Sequence, residues 1–220
     1  MEKSFHRPAG VVHGVEQEEL SEIITFLRKW KPNSDVFAIK YYPFALSALS
    51  VGSAAFINAH YRKAVKLRNS GFLTSLLPVI MLPSIASSLM HHQLVQGPFL
   101  LQKVQCPLCI ELRGGMVQLF CGFIYPMVLA PLAAFQLATR LYTYPLPSVF
   151  KPKAWLKEYI KLSRPIQHKV YLLAGIQIAA GMAWTHWEAQ NLFTVISKLS
   201  DMEEVLRVHY EEKTNQPSNF

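Results

Sequence analysis

GGMVQLFCGFIYPMVLAPLAAFQLAT, residues Gly114–Thr139, decides the fold, because it carries no charged side chain over a length that crosses a bilayer. A helix rises about 1.5 Å per residue, so about 20 mainly apolar residues span the roughly 30 Å hydrocarbon core. Three further stretches meet that length: Val36–Ala59, Gly71–Met90 and Val170–Trp187. Lys40, near the start of the first, can snorkel to the interface. The second and third spans are expected to be broken at Pro78, Pro83, Pro126 and Pro131. Neighbouring helices in a membrane bundle can satisfy the backbone groups that such prolines free.

The composition agrees. Hydrophobic residues make up 51% of the 220-residue chain and charged residues 16%, against about 25% charged in soluble domains. Four buried helices of a soluble protein would lack the polar surface to cover them. The expectation is an all-α polytopic membrane protein: four transmembrane helices with flanking amphipathic helices. Its parts are an N-terminal segment (1–35), a transmembrane domain (36–190), and a C-terminal amphipathic helix with a polar tail from Glu211 (191–220). The first thirty residues hold no apolar signal-peptide core, and Glu16, Glu18, Glu19 and Glu22 argue against a transit peptide.

Three amphipathic faces flank the spans. Leu20, Ile23, Ile24, Leu27 and Trp30 form the first. Trp155, Leu156, Tyr159 and Ile160 form the second, ringed by lysines in the manner of an interfacial helix on anionic lipid. Leu192, Val195, Ile196, Leu199, Met202, Val205 and Leu206 form the third, suited to an interface or a partner protein. Small residues at helical spacing, Ala48 with Gly52 and Gly175 with Ala179 and Ala183, predict close packing between spans.

The formal charge of +8 comes without any nucleic-acid-binding signature and lies beside the spans, which is the pattern of topology rather than of nucleic acid. Arg62, Lys63, Lys66 and Arg68 follow the first span; Lys151, Lys153 and Lys157 follow the third. These two loops are expected on the cytoplasmic or matrix side, and the middle loop opposite, with both termini. Arg28, Lys29 and Lys31 oppose that arrangement.

Cys106-Pro107-Leu108-Cys109 is the sharpest local motif. A C-x-x-C can bind metal, cycle as a redox couple or close a structural disulfide. Zinc would need two more ligands, and adjacent His91 and His92 cannot easily both turn to one ion. A redox role lacks the strand–helix surroundings of thioredoxin. A disulfide, or two thiols near the membrane surface, is the leading reading. No phosphate-binding glycine loop, G-x-S-x-G or H-E-x-x-H occurs, so neither enzymatic activity nor a cofactor is expected. No carboxylate lies in any span, which disfavours ion-coupled transport. A pore for an uncharged solute stays open as the alternative, motivated by the prolines.

An ordered series of short elements resembles the transmembrane protein 126 family of the mitochondrial inner membrane. It runs from Phe56-Ile57-Asn58-Ala59-His60-Tyr61-Arg62 through Leu76-Leu77-Pro78 and Met81-Leu82-Pro83 to Cys106-x-x-Cys109 with Arg113-Gly114. Gly122-x-x-Tyr125-Pro126, Leu137-Ala138-Thr139-Arg140-x-Tyr142, Pro145-Leu146-Pro147, Trp155 and Pro165 continue it. The resemblance covers about residues 37–190 and not the two ends; the paired cysteines are more like the A branch than the B branch. It implies a non-enzymatic protein that assists assembly of the membrane arm of respiratory complex I. The implied partners are membrane lipids, membrane-arm subunits, other assembly factors and the membrane insertase, with no nucleic acid.

Overall fold

The computed structural model describes residues 9–67, 70–104, 106–146 and 152–215, with side chains from residue 17 to residue 207, residue 152 excepted. Arg68, Lys151 and Pro147, singled out above, lie outside the described residues, as does the tail beyond Asn215. Helix α1 is Ala9–Lys29. A 3₁₀ turn, Asn33–Val36, leads into α2, Phe37–Ala64. Helices α3, Phe72–Leu100, and α4, Pro107–Arg140, follow. Helix α5 is Pro152–Ser163, and α6 is a single helix of 49 residues, Gln167–Asn215. The described residues contain no strand.

Three of these helices are long and apolar enough to cross a membrane: Asn33–Ala64, Phe72–Leu100 and Pro107–Arg140. The fourth expected span, Val170–Trp187, lies inside α6 and is not among the three. Its hydropathy is lowered by Gln177, Thr185 and His186, of which Gln177 and Thr185 are each only 1% exposed. The polar tail expected from Glu211 is helical as far as Asn215.

The prolines do not break α3 or α4. Each helix instead opens into π turns, at Leu77–Met81, His92–Gln96 and Phe120–Ile124. A proline follows two residues after the end of each turn: Pro83, Pro98 and Pro126. The spacing has a physical cause. Proline lacks an N–H, and its ring strikes the carbonyl four residues earlier, which here belongs to the middle residue of each π turn. Widening that turn moves the carbonyl aside and lets the helix continue.

The chain forms two compact units. The first joins the described residues up to Lys40 to those from His186 onward. Leu27, Val36, Ile39, Ala189 and Val195 are buried in it, so the inward face of α1 is the one its periodicity marks. Asn191 Oδ1 accepts a hydrogen bond from the Ala38 N–H at 2.8 Å, capping the start of α2 from far along the chain. Lys198 donates to Asp35, which also accepts from Trp30 Nε1 at 3.3 Å.

The second unit is residues 41–185. Its core gathers Ala54, Ile57, Tyr61, Val79, Ala130, Ala134 and Phe135. Helix α5 lays Trp155 and Tyr159 onto it: Tyr61 stacks on Tyr159 at 6.1 Å and Phe135 meets Trp155 edge-on at 5.5 Å. The outer side of α5 shows Leu156 and Ile160.

The small-residue pairs singled out by spacing are not the points of close approach within this chain. Ala48, Gly52, Gly175, Ala179 and Ala183 are all exposed, and a Cβ on Gly52 or Gly175 would meet nothing within 4 Å. The helices touch instead at Gly114 and Gly115 of α4 against Gly181 of α6, where a Cβ on Gly181 would lie 2.7 Å from the Gly114 carbonyl oxygen. The four-residue spacing marks only the outward face; the neighbouring helix decides which glycines are crowded.

Candidate functional site

The centre of the second unit is polar. Gln118 on α4 and Gln177 on α6 are each 1% exposed, and Gln118 Nε2 donates to Gln177 Oε1 at 2.9 Å. Gln118 Nε2 also reaches the Leu46 carbonyl and Ser50 Oγ of α2, both at 3.1 Å. Its Oε1 accepts from Ser87 Oγ of α3 at 2.7 Å. Gln177 Nε2 donates to Ser53 Oγ at 2.7 Å. One pair of amides therefore ties four helices together.

The π turn of α4 takes part. Pro126 has no N–H to offer the Gly122 carbonyl four residues before it. Ser53 Oγ donates to that oxygen at 2.5 Å and Gln177 Nε2 at 3.4 Å. Gly122 leaves the room for this, since a Cβ there would lie 2.8 Å from the Gln177 amide. In hydrocarbon an unsatisfied amide or carbonyl costs several kcal/mol, so the network closes on itself. These amides are uncharged, so the absence of carboxylates from the spans gives no hint of them. The available signal was a glutamine inside each of two apolar stretches, Gln118 near the start of one and Gln177 near the middle of the other.

The two basic loops meet at one end of this unit. Thr143 Oγ1 donates to the Val65 carbonyl at 3.1 Å, Tyr61 Oη pairs with Ser163 Oγ at 2.8 Å, and His60 Nε2 with the Leu162 carbonyl at 2.9 Å. Lys63, Lys66, Lys153 and Lys157 are exposed there. Arg62 behaves differently. Only 4% exposed, it donates to the carbonyls of Gly71 and Ser70 at 3.2 and 2.9 Å and to Ser75 Oγ at 3.0 Å, and lies 5.4 Å over the Phe72 ring. It ties the loop between α2 and α3 to the start of α3. On α5, the Glu158 carboxylate accepts from Lys161 at 3.4 Å and holds that ammonium above the usual lysine range.

The opposite end carries Cys106 and Cys109, joined as a disulfide with Cα atoms 5.3 Å apart. Cys106 caps α4, its Sγ accepting from the Cys109 N–H at 3.3 Å. Arg113 Nη1 donates to the Leu94 carbonyl at 3.1 Å, tying α4 to the second π turn of α3. His91 is buried against Tyr42, ring centres 5.0 Å apart, and His92 pairs with Gln96 Oε1 at 2.9 Å. The histidines are thus turned to their own neighbours and the cysteines to each other. Among the described residues no three His, Cys, Asp or Glu side chains converge as a metal set.

The sequence has relatives. Transmembrane protein 126 of Drosophila melanogaster is 34% identical over 198 residues, covering 89% of each chain. Transmembrane protein 126A of Rattus norvegicus is 25% identical over 154 residues, covering 69% of this chain and 75% of the rat protein. The Mus musculus protein of that name is 26% identical over 151 residues, covering 67% and 74%. No solved structure matches the chain. The family profile described as transmembrane protein 126 matches residues 18–204, so it takes in all three apolar spans, the disulfide end and both basic loops: the chain belongs to the transmembrane protein 126 family.

Proposed function

We propose that the chain is a multi-pass protein of the mitochondrial inner membrane that assists assembly of the membrane arm of respiratory complex I. It acts as a scaffold, through contacts with other hydrophobic proteins and without chemistry of its own. The observation that carries this reading is the direction of its surfaces. The polar groups of the bundle bond one another around Gln118 and Gln177, while small residues and large apolar side chains face outward. Ala48, Gly52, Gly175, Ala179 and Ala183 on those outer faces allow another backbone to come close. Beyond Val195, α6 also presents Ile196, Leu199, Met202, Val205 and Leu206 on an exposed face.

The first half of α6 serves in this proposal as a fourth span. Its polar Gln177 and Thr185 are buried, whereas Tyr171, Leu172 and Ile176 face outward, so its outer surface is more apolar than its mean hydropathy. The basic end faces the matrix by the positive-inside rule. Membrane-arm subunits, other assembly factors and the insertase are the partners implied by family resemblance. The rival reading, a small-solute transporter or channel, rested on broken helices; α3 and α4 are continuous, and the motivation goes with the break.

The test is removal of the protein from cells, followed by native gels of mitochondrial membranes. Depletion lowers mature complex I and changes the membrane-arm intermediates. A normal amount of complex I after complete loss refutes the proposal. Affinity purification of the tagged protein from mitochondria then identifies which hydrophobic subunits it holds.

A further inference from the structure

A groove of about 1310 Å³ runs between the C-terminal half of α2 and the N-terminal half of α3. Its walls are apolar, with Val51 and Ala55 on one side and Leu76, Ile80 and Met81 on the other. Its mouth carries Lys63 and Lys66, both exposed. One polar side chain sits inside. Asn58 lines the groove, is 2% exposed, and its buried Oδ1 has no hydrogen-bond partner. A buried amide oxygen without a partner costs free energy in water and more in hydrocarbon, and elsewhere in this bundle the buried amides are satisfied.

We infer that the groove binds an anionic diacyl phospholipid. Its phosphate meets Lys63 and Lys66, one acyl chain lies along the apolar walls, and its glycerol backbone faces Asn58. The depths agree. Asn58 lies five residues before Lys63, which is about 7.5 Å along a helix and one glycerol-ester layer deeper than the phosphates. An amide turned one way accepts from a headgroup hydroxyl and turned the other donates to an ester carbonyl. Arg62 is bonded to the adjoining loop; it shapes the rim and adds positive potential rather than closing on the phosphate. Basic pockets between spans on the positively charged side of a membrane are the usual setting for such lipids. The apolar walls select a lipid over free phosphate. The inference concerns this groove alone and holds whichever proteins the scaffold contacts.

The test uses the full chain purified in detergent and titrated with phosphatidylglycerol, phosphatidylcholine or inorganic phosphate. Native mass spectrometry reads binding and thermal unfolding reads stabilisation. Phosphatidylglycerol is retained and raises the unfolding temperature more than phosphatidylcholine does, and inorganic phosphate does not displace it. Lys63→Gln with Lys66→Gln lowers the anionic preference about thirty-fold, since each lysine at an anionic surface is worth about fivefold. Asn58→Leu leaves the lipid-free protein as stable as the parent or more so, yet loses the stabilisation by phosphatidylglycerol. Equal binding of the two lipids, full competition by phosphate, or unchanged lipid response in both variants overturns the inference.

Discussion

The contact between α4 and α6 makes the sharpest demand on a single atom. Gly181→Ala adds a Cβ that would lie 2.7 Å from the Gly114 carbonyl oxygen, 2.9 Å from Gln118 Cβ and 2.9 Å from Gly115 Cα. Ordinary contact begins at 3.4 Å, which leaves a shortfall of 0.7 Å against backbone atoms. No rotamer change relieves that, so the two helices must part. Parting them also loosens the Gln118–Gln177 bond, one turn away. Overpacking of this kind costs about 3 kcal/mol, the upper end of its usual range, and the better helix propensity of alanine returns about 1. The expected net loss is about 2 kcal/mol. Gly175→Ala, on the same helix, meets nothing within 4 Å and should gain about 1 kcal/mol. The two variants should differ by about 3 kcal/mol, roughly a hundredfold in the unfolding equilibrium. Unfolding in mixed micelles of increasing dodecyl sulfate, followed by circular dichroism, measures this. Equal stabilities, or greater damage from Gly175→Ala, would refute the packing argument.

Three further outcomes follow from the same reasoning. Gln118→Leu strands Gln177 Oε1 and Ser87 Oγ and should cost about 2 kcal/mol; adding Gln177→Leu should cost less than the sum of the single changes, which a double-mutant cycle measures. Asn191→Ala removes the cap on the Ala38 N–H and should cost about 1 kcal/mol in the same unfolding assay. Reducing the Cys106–Cys109 disulfide opens a loop of only a few residues, so it should cost no more than about 2 kcal/mol. Reduction that abolished the helical circular dichroism would show that the disulfide holds the bundle rather than its loop.

Much of this protein was readable before any fold was known. An uncharged stretch such as Gly114–Thr139 must become a helix in a bilayer, because no water is present to take its backbone groups. The same logic places Phe72–Leu100 and the chain through Phe44 and Phe56 in the membrane. Net positive charge after the first and third spans predicts that those loops share a side, and Thr143 bonding to Val65 brings them to one end. What the residues could not announce is direction. The four-residue spacing belongs to the outward Ala48–Gly52 and Gly175–Ala179–Ala183 series, and the inward Gly114, Gly115 and Gly181 lie off it. Only the neighbouring helix distinguishes a glycine that is crowded from one that is open. Of the prolines predicted to break α3 and α4, Pro83 and Pro126 each follow a π turn, whose extra width removes the clash a proline creates, while Pro131 is carried inside ordinary α-helix. The fourth expected span was diluted by Gln177 and Thr185, polar residues that packing turns inward, where an average over the helix cannot place them. Length and hydropathy thus determined that this chain enters a membrane, because those properties are sums along the sequence. Which faces it closes and which it leaves open was decided by tertiary contact, because a hydrogen bond or a close approach needs a partner distant in the chain.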